Sequence, residues 1–444
     1  MQNAVESRHM IGNLIIPFLN IRKSQAKLLK EQWTALKETL EYAYDNVPFY
    51  RERFDRAGII PSDIKTKQDL LKIPVTTKED LRQHKREFIA AGFQKKKLKT
   101  STSTGSTGEP TKTYFSRADW LLLKHVLKIR SRHQCGFRYG QKLVFIDDRP
   151  VETVRKENKK FFNKILRKYS VSVDQPLDEH MRIYRELKPH AFYGMPSYFK
   201  ELAEYVKQND IRWLRPEIIF TSSETFDPHD KREMENVLGC KVLDIYGSTE
   251  FKEVSWECPL QKGYHINVDT FFVEFVNDNH HVEEGEEGDI IITSLKNKAM
   301  PLIRYALEDR GTYSNEQCDC GCHFPLMKKI LGRCVDYFTL SNGRRIAPFT
   351  LTNTLQDCSA DYMEQYQIVQ KDYNEVLILI KPNEQFHDQI EEKIIQSFKD
   401  VLGQEIDVKI QLVPHIPRER SGKYKVVKSE INERELNKWM GQKM

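Results

Sequence analysis

Between residues 22 and 95 the apolar positions recur three or four apart. Leu28, Leu29, Trp33, Leu36, Leu40 and Tyr44 form a stripe between charged neighbours. That period is one face of a helix turned to a core. Asn46-Val47-Pro48 interrupts it, and Thr77-Lys78-Glu79-Asp80-Leu81 opens a second helix, with Thr77 as N-cap and acidic charge in the first turn. Downstream the pattern alternates. Helices are expected over 121–132, 178–187, 197–209 and 228–238, and strands over 142–146, 190–193 and 217–221. Such alternation predicts an α/β fold of mostly parallel sheet layers covered by helices, with ligands at the carboxyl ends of the strands. From Val242 the chain becomes strand-rich, with strands over 271–275 and 289–293 around an acidic, Gly-containing turn. After Gly332-Arg333 come strands near 337–340, 366–369, 375–380 and 407–412 and a helix over 389–402, a small α+β unit. The expected organisation is a large domain over 1–331 and a small one over 332–444.

Composition narrows the function classes. The chain has 444 residues, 39% hydrophobic and 30% charged, which is long enough for a sizeable core. Its 70 basic and 64 acidic residues, net +6, are too balanced to argue for nucleic acid, while a mildly basic surface suits anionic nucleotides. No run reaches the roughly 18 apolar residues a membrane span needs, and the short segment 10–19 lacks a small-residue cleavage site. A cytoplasmic location is therefore expected. Its eight cysteines would be reduced there, and a clustered subset is better suited to metal than to disulfides.

Chemistry concentrates first in 101–112, STSTGSTGEPTK, which carries seven hydroxyls and two glycines with no large apolar side chain. Such a stretch reads either as a flexible linker or as a concave anion site of hydroxyls and backbone N–H groups. Its order, Ser103-Thr104-Gly105-Ser106-Thr107-Gly108-Glu109-Pro110, resembles the phosphate loop of adenylate-forming enzymes, and Pro110-Thr111 the phenylacetate-CoA ligase and capsule-biosynthesis CapK-like branch. Other motifs follow in the order of that superfamily. Tyr246-Gly247-Ser248-Thr249-Glu250 resembles its "YGxTE" motif, which implies Glu250 as the magnesium ligand, Thr249 at the phosphate and Tyr246 beside adenine. Ser222, Ser223 and Glu224 match a loop facing adenine, and Asp244 and Gly247 join the implied nucleotide-binding set. Pro301 to Asp309, PLIRYALED, resembles "RYRTGD", whose Asp, here Asp309, grips the ribose hydroxyls; the match departs at Ala306, Leu307 and Glu308. Gly332-Arg333-Cys334-Val335-Asp336 resembles the "GRxDD" hinge, with Arg333 reaching ribose or phosphate and Val335 standing where relatives carry the first Asp. Pro417 to Lys423 resembles the "PRxxxGK" loop, which implies Lys423 as the lysine that enters the site during adenylation. "PFYR" at Pro48 to Arg51 extends the match upstream.

Two further groups complete the picture. Cys258, His265, Cys318 and Cys320, with Cys322 as alternate, offer the thiolates and imidazole of a tetrahedral zinc site, or else reduced cysteines without metal. Tyr193, Gly194, Met195 and Pro196, in HAFYGMPS, resemble the loop lining the carboxylate pocket, with 137–139 as further wall. The resemblance implies an adenylate-forming N-terminal domain with a C-terminal lid, and an ATP- and Mg2+-dependent ligase that converts a carboxylic acid, aromatic or apolar, to acyl-AMP. Structural Zn2+ and CoA as acyl acceptor complete the set. An amine or carrier protein as acceptor, and a zinc-containing scaffold without catalysis, stay open, as does a homodimer. Neither nucleic acid nor membrane is expected as partner.

Overall fold

The computed structural model describes residues 16–102, 111–147, 149, 151–159, 167–224, 228–333, 338–342, 344–346, 348–359, 362–416 and 425–431. These divide into two compact units. The first draws on Met1–Leu143, Ile218–Ser223 and Leu243–Ile330, the second on Val144–Glu217, Glu224–Val242 and Leu331–Met444.

In the first unit the apolar stripe becomes the helix Gln25–Asn46, which buries Leu28, Gln32, Leu36, Leu40 and Ala43. Leu29, expected on the buried face, is 43% exposed. Gln32 lies on the buried side instead, because its amide donates to the Phe271 carbonyl at 2.7 Å and so meets the cost of burying a polar group. Pro48 starts the next helix, Pro48–Arg56, where its missing N–H costs nothing. Thr77 caps the short helix Lys78–Gln83 in a reciprocal box. Its hydroxyl accepts from the Asp80 N–H, while the Asp80 carboxylate accepts from the Thr77 N–H at 2.8 Å.

The sheet of this unit runs, strand by strand, His280–His281, Phe271–Asn277, Glu287–Ser294, Tyr305–Tyr313, Leu326–Arg333, Tyr264–Ile266, Lys252–Glu257, Lys241–Ser248 and Ile218–Ser222. Phe271–Asn277 pairs antiparallel with Glu287–Ser294, which pairs antiparallel with Tyr305–Tyr313; Lys241–Ser248, Lys252–Glu257 and Tyr264–Ile266 do the same in succession. Short turns, not crossover helices, join these strands, so this stretch differs from the parallel layering that the upstream alternation suggests. Apolar side chains from Leu36 to Met327 close over the sheet as one core.

The second unit carries the strands Ala191–Gly194, Leu143–Asp147 (from Val144 on) and Lys168–Ser172 in that order, with helices Val151–Asn158, Leu177–Leu187, Pro196–Gln208 and Pro228–Leu238. Gly194 is required by packing, since a Cβ there would stand 2.7 Å from the Ile146 Cβ. A buried network ties the helices together: His180 bonds through its ring nitrogens with the Tyr198 hydroxyl (2.8 Å) and the Ser172 carbonyl (2.9 Å), and Tyr198 meets Tyr184 at 2.6 Å. The carboxyl-terminal part is a four-stranded sheet in the order Asp407–Leu412, Glu375–Pro382, Met363–Asp372, Val427–Ser429. Helices Pro348–Ser359 and Asp388–Leu402 share its core, which includes Leu351, Ile368, Ile378, Ile394 and Phe398. Among the described residues no helix is long and apolar enough to cross a membrane.

Candidate active site

The motif Tyr246-Gly247-Ser248-Thr249-Glu250 ends the strand Lys241–Ser248 and turns into Lys252–Glu257. The turn is very tight at Gly247, where a Cβ would lie 1.9 Å from the Lys252 carbonyl oxygen. Only glycine fits such a backbone approach. The Ser248 hydroxyl accepts from the Glu250 and Phe251 N–H groups, both at 3.2 Å, and so fixes the direction in which Glu250 leaves the turn. Glu250 is 5% exposed, and one of its oxygens accepts from the Tyr305 hydroxyl at 3.3 Å. Burial, and then the Glu250 charge, push the Tyr305 phenol far above its usual value, so it stays a donor.

Asp309 lies on the strand Tyr305–Tyr313 of the same sheet, and its carboxylate accepts from the Tyr246 hydroxyl at 2.8 Å. Tyr246, Glu250 and Asp309 are thus brought together by Tyr246–Asp309 and Tyr305–Glu250 contacts between two strands. Glu308 stands at φ +66° and pairs with Lys78, and Arg304, at φ +44°, forms a buried ion pair with Glu274.

Asp244 lies on the same strand as Tyr246 and is 8% exposed. Its two carboxylate oxygens accept from Thr221 Oγ1 at 3.0 Å and from the Tyr264 hydroxyl at 3.1 Å. Ser222 donates to the Ile245 carbonyl at 2.8 Å, and Ser223 adopts φ +81°. Glu224, in the second unit, accepts from the Ser197 N–H (2.9 Å) and hydroxyl (3.0 Å) at the start of the helix Pro196–Gln208. An acid in that place satisfies orphan N–H groups of the helix and holds the loop Gly194-Met195-Pro196. Tyr193 packs against Phe145 with ring centroids 5.1 Å apart. Tyr139, expected as a pocket wall, is 81% exposed, whereas Phe137 packs edge-on against Phe220.

Ser103, Thr104, Gly105, Ser106, Thr107 and Gly108 lie outside the described residues, as do Lys423, Val335, Asp336 and the side chain of Arg333. The flanks of the Ser/Thr/Gly stretch are described: Lys99–Thr102 and Lys112–Phe115 pair antiparallel, with Thr102 opposite Lys112. From these flanks comes a contact that sequence reasoning missed. Lys252 Nζ donates to Ser101 Oγ and, at 2.7 Å, to the Thr249 carbonyl. Burial, with Lys124 next, lowers Lys252 to about 8. A lysine just past an acidic motif gives no signal that its ammonium turns back. Tyr305 and Tyr264 were likewise missed, since buried tyrosines in a strand look like core.

Cys258, His265, Cys318 and Cys320 place their ligand atoms within 4.8 Å of one another. Cys258 and Cys318 sulfurs are 3.2 Å apart, as are His265 Nε2 and the Cys320 sulfur. His265 Nδ1 faces the Phe324 carbonyl at 2.9 Å, which leaves Nε2 directed at the thiols. Three thiols and one imidazole make a closed donor set of the softness that suits zinc. Cys322, the alternate, is buried outside that group of four, and burial pushes its thiol up to about 11.

Comparison with known proteins gives the same direction. A family model for the CapK C-terminal domain matches residues 338–430. The phenylacetate-coenzyme A ligase of Thermus thermophilus is 27% identical over 440 residues, spanning 90% of this chain and 96% of that protein. The ligase of the same name from Escherichia coli K12 is 29% identical over 286 residues, 63% of this chain and 65% of the relative. Among solved structures, 2-hydroxyisobutyryl-CoA ligase in the postadenylation state superposes with a TM-score of 0.76 at 23% identity, covering 95% of this chain and 93% of that one. A near full-length alignment with one such ligase, a CapK-type C-terminal domain and the shared fold together make this chain similar to the adenylate-forming, phenylacetate-CoA ligase-like proteins.

Proposed function

We propose that the chain is an ATP-dependent acid ligase that adenylates a carboxylic acid, aromatic or apolar, and passes the acyl group to CoA. The observation that carries this reading is the pairing of Tyr246 with Asp309 beside buried Glu250. In this reading Asp309 exchanges its tyrosine partner for the ribose hydroxyls, and Tyr246 lines the adenine slot with Ser222, Ser223 and Asp244. The residues Ser103 to Gly108 wrap the polyphosphate. The substrate carboxylate, held beside Tyr193 to Pro196, attacks the α-phosphorus. Its P–O bond forms as the bond to pyrophosphate breaks, and Lys423 neutralises the charge shared between them. Glu250, a buried carboxylate, would hold Mg2+, which when bound would supply positive charge to the phosphates. The CoA thiolate then attacks the acyl carbonyl and AMP leaves. Arg333 serves ribose or phosphate at the hinge, and 332–444 act as the lid. The donor set Cys258, His265, Cys318 and Cys320 would hold Zn2+ as a structural tie. A cytoplasmic location and a homodimer belong to the same reading.

Pyrophosphate release from Mg·ATP across a panel of aromatic and aliphatic acids tests the first step. Adding CoA, then amines, to the best acid tests the second. The reading expects one acid class to drive release, with CoA accelerating acyl-AMP turnover most. No release with any acid would overturn it, and faster turnover with an amine would reassign the acceptor.

A further inference from the structure

Lys252 stands at the tip of the strand hairpin, opposite Ser248, with φ +69°. Its ammonium reaches back to two protein acceptors, the Thr249 carbonyl at 2.7 Å and Ser101 Oγ. Neither is a carboxylate, although an ammonium has three N–H groups to give. It is flanked by aromatic faces, 5.3 Å from the ring centres of both Phe115 and Trp120. Lys124, 4.5 Å over the same Trp120 ring, and half-buried Lys128 add like charge nearby, which the Glu250 charge offsets in part without bonding to Lys252. Gathering cations in a partly buried place with no carboxylate bonded to the central one is costly, and an anion relieves that cost. The two acceptors also identify the place. Ser101 belongs to the strand that leads into the Ser/Thr/Gly stretch, and Thr249 precedes Glu250. The other end of the motif, Tyr246, is bonded to Asp309 on the ribose side.

We infer that Lys252 is a further residue of the nucleotide site: its ammonium binds the terminal phosphates of ATP, and released pyrophosphate, while holding the Ser101 strand against the Thr249 carbonyl. This rests on the adenylating function proposed above. It also explains why a lysine stem is spent crossing between two rings. A cation seated there adds charge-assisted bonds to phosphate oxygens and keeps both walls of the polyphosphate channel in register.

The test is calorimetric titration of wild type, K252M and K252R with Mg·ATP, pyrophosphate and AMP, together with melting temperatures. K252M is expected to weaken Mg·ATP and pyrophosphate by about 10-fold or more while AMP changes by less than about 2-fold, and K252R to recover most of the loss. Should K252M fail to fold, K252Q, which keeps a donor without the charge, carries the same ATP-to-AMP comparison. Equal weakening of ATP and AMP would reduce Lys252 to a structural role and overturn the inference. So would an unchanged affinity for ATP. A wild-type protein that binds neither nucleotide would instead overturn the adenylating function, and this inference with it.

Discussion

Arg304 and Glu274 offer a test of how the strand carrying Asp309 is held. Arg304 is 2% exposed and Glu274 0%, and the Arg304 Nε lies 3.2 Å from both Glu274 oxygens. The guanidinium also donates to the Ile73 carbonyl, and the Arg304 backbone bonds with Thr293 Oγ1 (2.9 Å) and the Thr76 N–H (2.8 Å). Removing the cation in R304M strands a buried carboxylate, which costs about 3–5 kcal/mol. Burial already raises Glu274 above the usual carboxylate range, with Arg304 the main opposing influence. In R304M Glu274 therefore keeps its proton to higher pH. Folded R304M holds that proton more tightly than folded wild type does, so its deficit is smaller at pH 5 and grows as pH rises above the already raised value that Glu274 has beside Arg304. In R304M/E274M both charges of the pair are gone, with only Lys67 and His281 left near the place, and apolar side chains of similar volume are nearly neutral there, so most of the deficit should disappear. Urea unfolding at pH 5 and pH 8 for the two singles and the double gives the cycle. AMP affinity should fall with R304M and return in the double, because Asp309 sits five residues along the same strand segment. A double variant as unstable as R304M, or a deficit independent of pH, would refute the reasoning.

Three other outcomes follow from the same physical reading. K423A should lower adenylation by about 10²-fold or more while the thioester step from supplied acyl-AMP is much less affected; equal loss in both steps would remove Lys423 from its assigned role. Purified protein should carry about one zinc per chain by elemental analysis, C320S well under half of that, and C320S should unfold at lower urea by several kcal/mol; equal stability with and without chelator would mean the thiols hold no structural ion. Burial pushes Glu204 up to about 7, against the pull of Lys200 and with Asp230 and Glu233 adding to the rise, so the folded state keeps a proton that the unfolded state loses between about pH 4.5 and 7. Stability contributed there is present at low pH and lost through that window. E204Q should match wild type near pH 4.5 and exceed it by about 1–2 kcal/mol at pH 8, a figure reduced from the full shift because Glu204 is only partly buried; parallel urea midpoints across pH would contradict this.

Elements with strong periodicity were readable from the chain alone. The helix over 228–238 and the strands over 375–380 and 407–412 occur essentially as expected, and Glu375–Pro382 shows the reason most clearly, since its buried positions alternate with half-buried ones. The strands Lys168–Ser172, Tyr305–Tyr313 and Leu326–Arg333 and the helix Val151–Asn158 were not. Tyr305–Tyr313 shows why. It alternates burial only in part and contains Glu308, Asp309 and Arg310, so its sequence reads as a charged loop. Its strand character comes from partners far along the chain: the Ala306 N–H bonds the Thr76 carbonyl, and Tyr305 pairs with Ile292. Tertiary pairing overrides local preference there.

The site divides along the same physical line. Residues that fall in a short fixed motif, such as Glu250 and Asp309, announce themselves because spacing within one turn is recorded in sequence order. Residues that hold such a motif in place do not. Glu224 makes the contrast plain. As a motif position it matches a loop facing adenine, whereas its carboxylate receives both donors of Ser197, 27 residues earlier, and so sets the start of the helix that carries Pro196. Gly247 shows the opposite limit: it is readable as a motif glycine, but the reason for it, a carbonyl of Lys252 inside the volume of any Cβ, exists only once the hairpin has closed. A motif therefore singles out candidate groups, while the long-range contacts of Arg304, Glu224 and Lys252 fix where the segments that carry them stand.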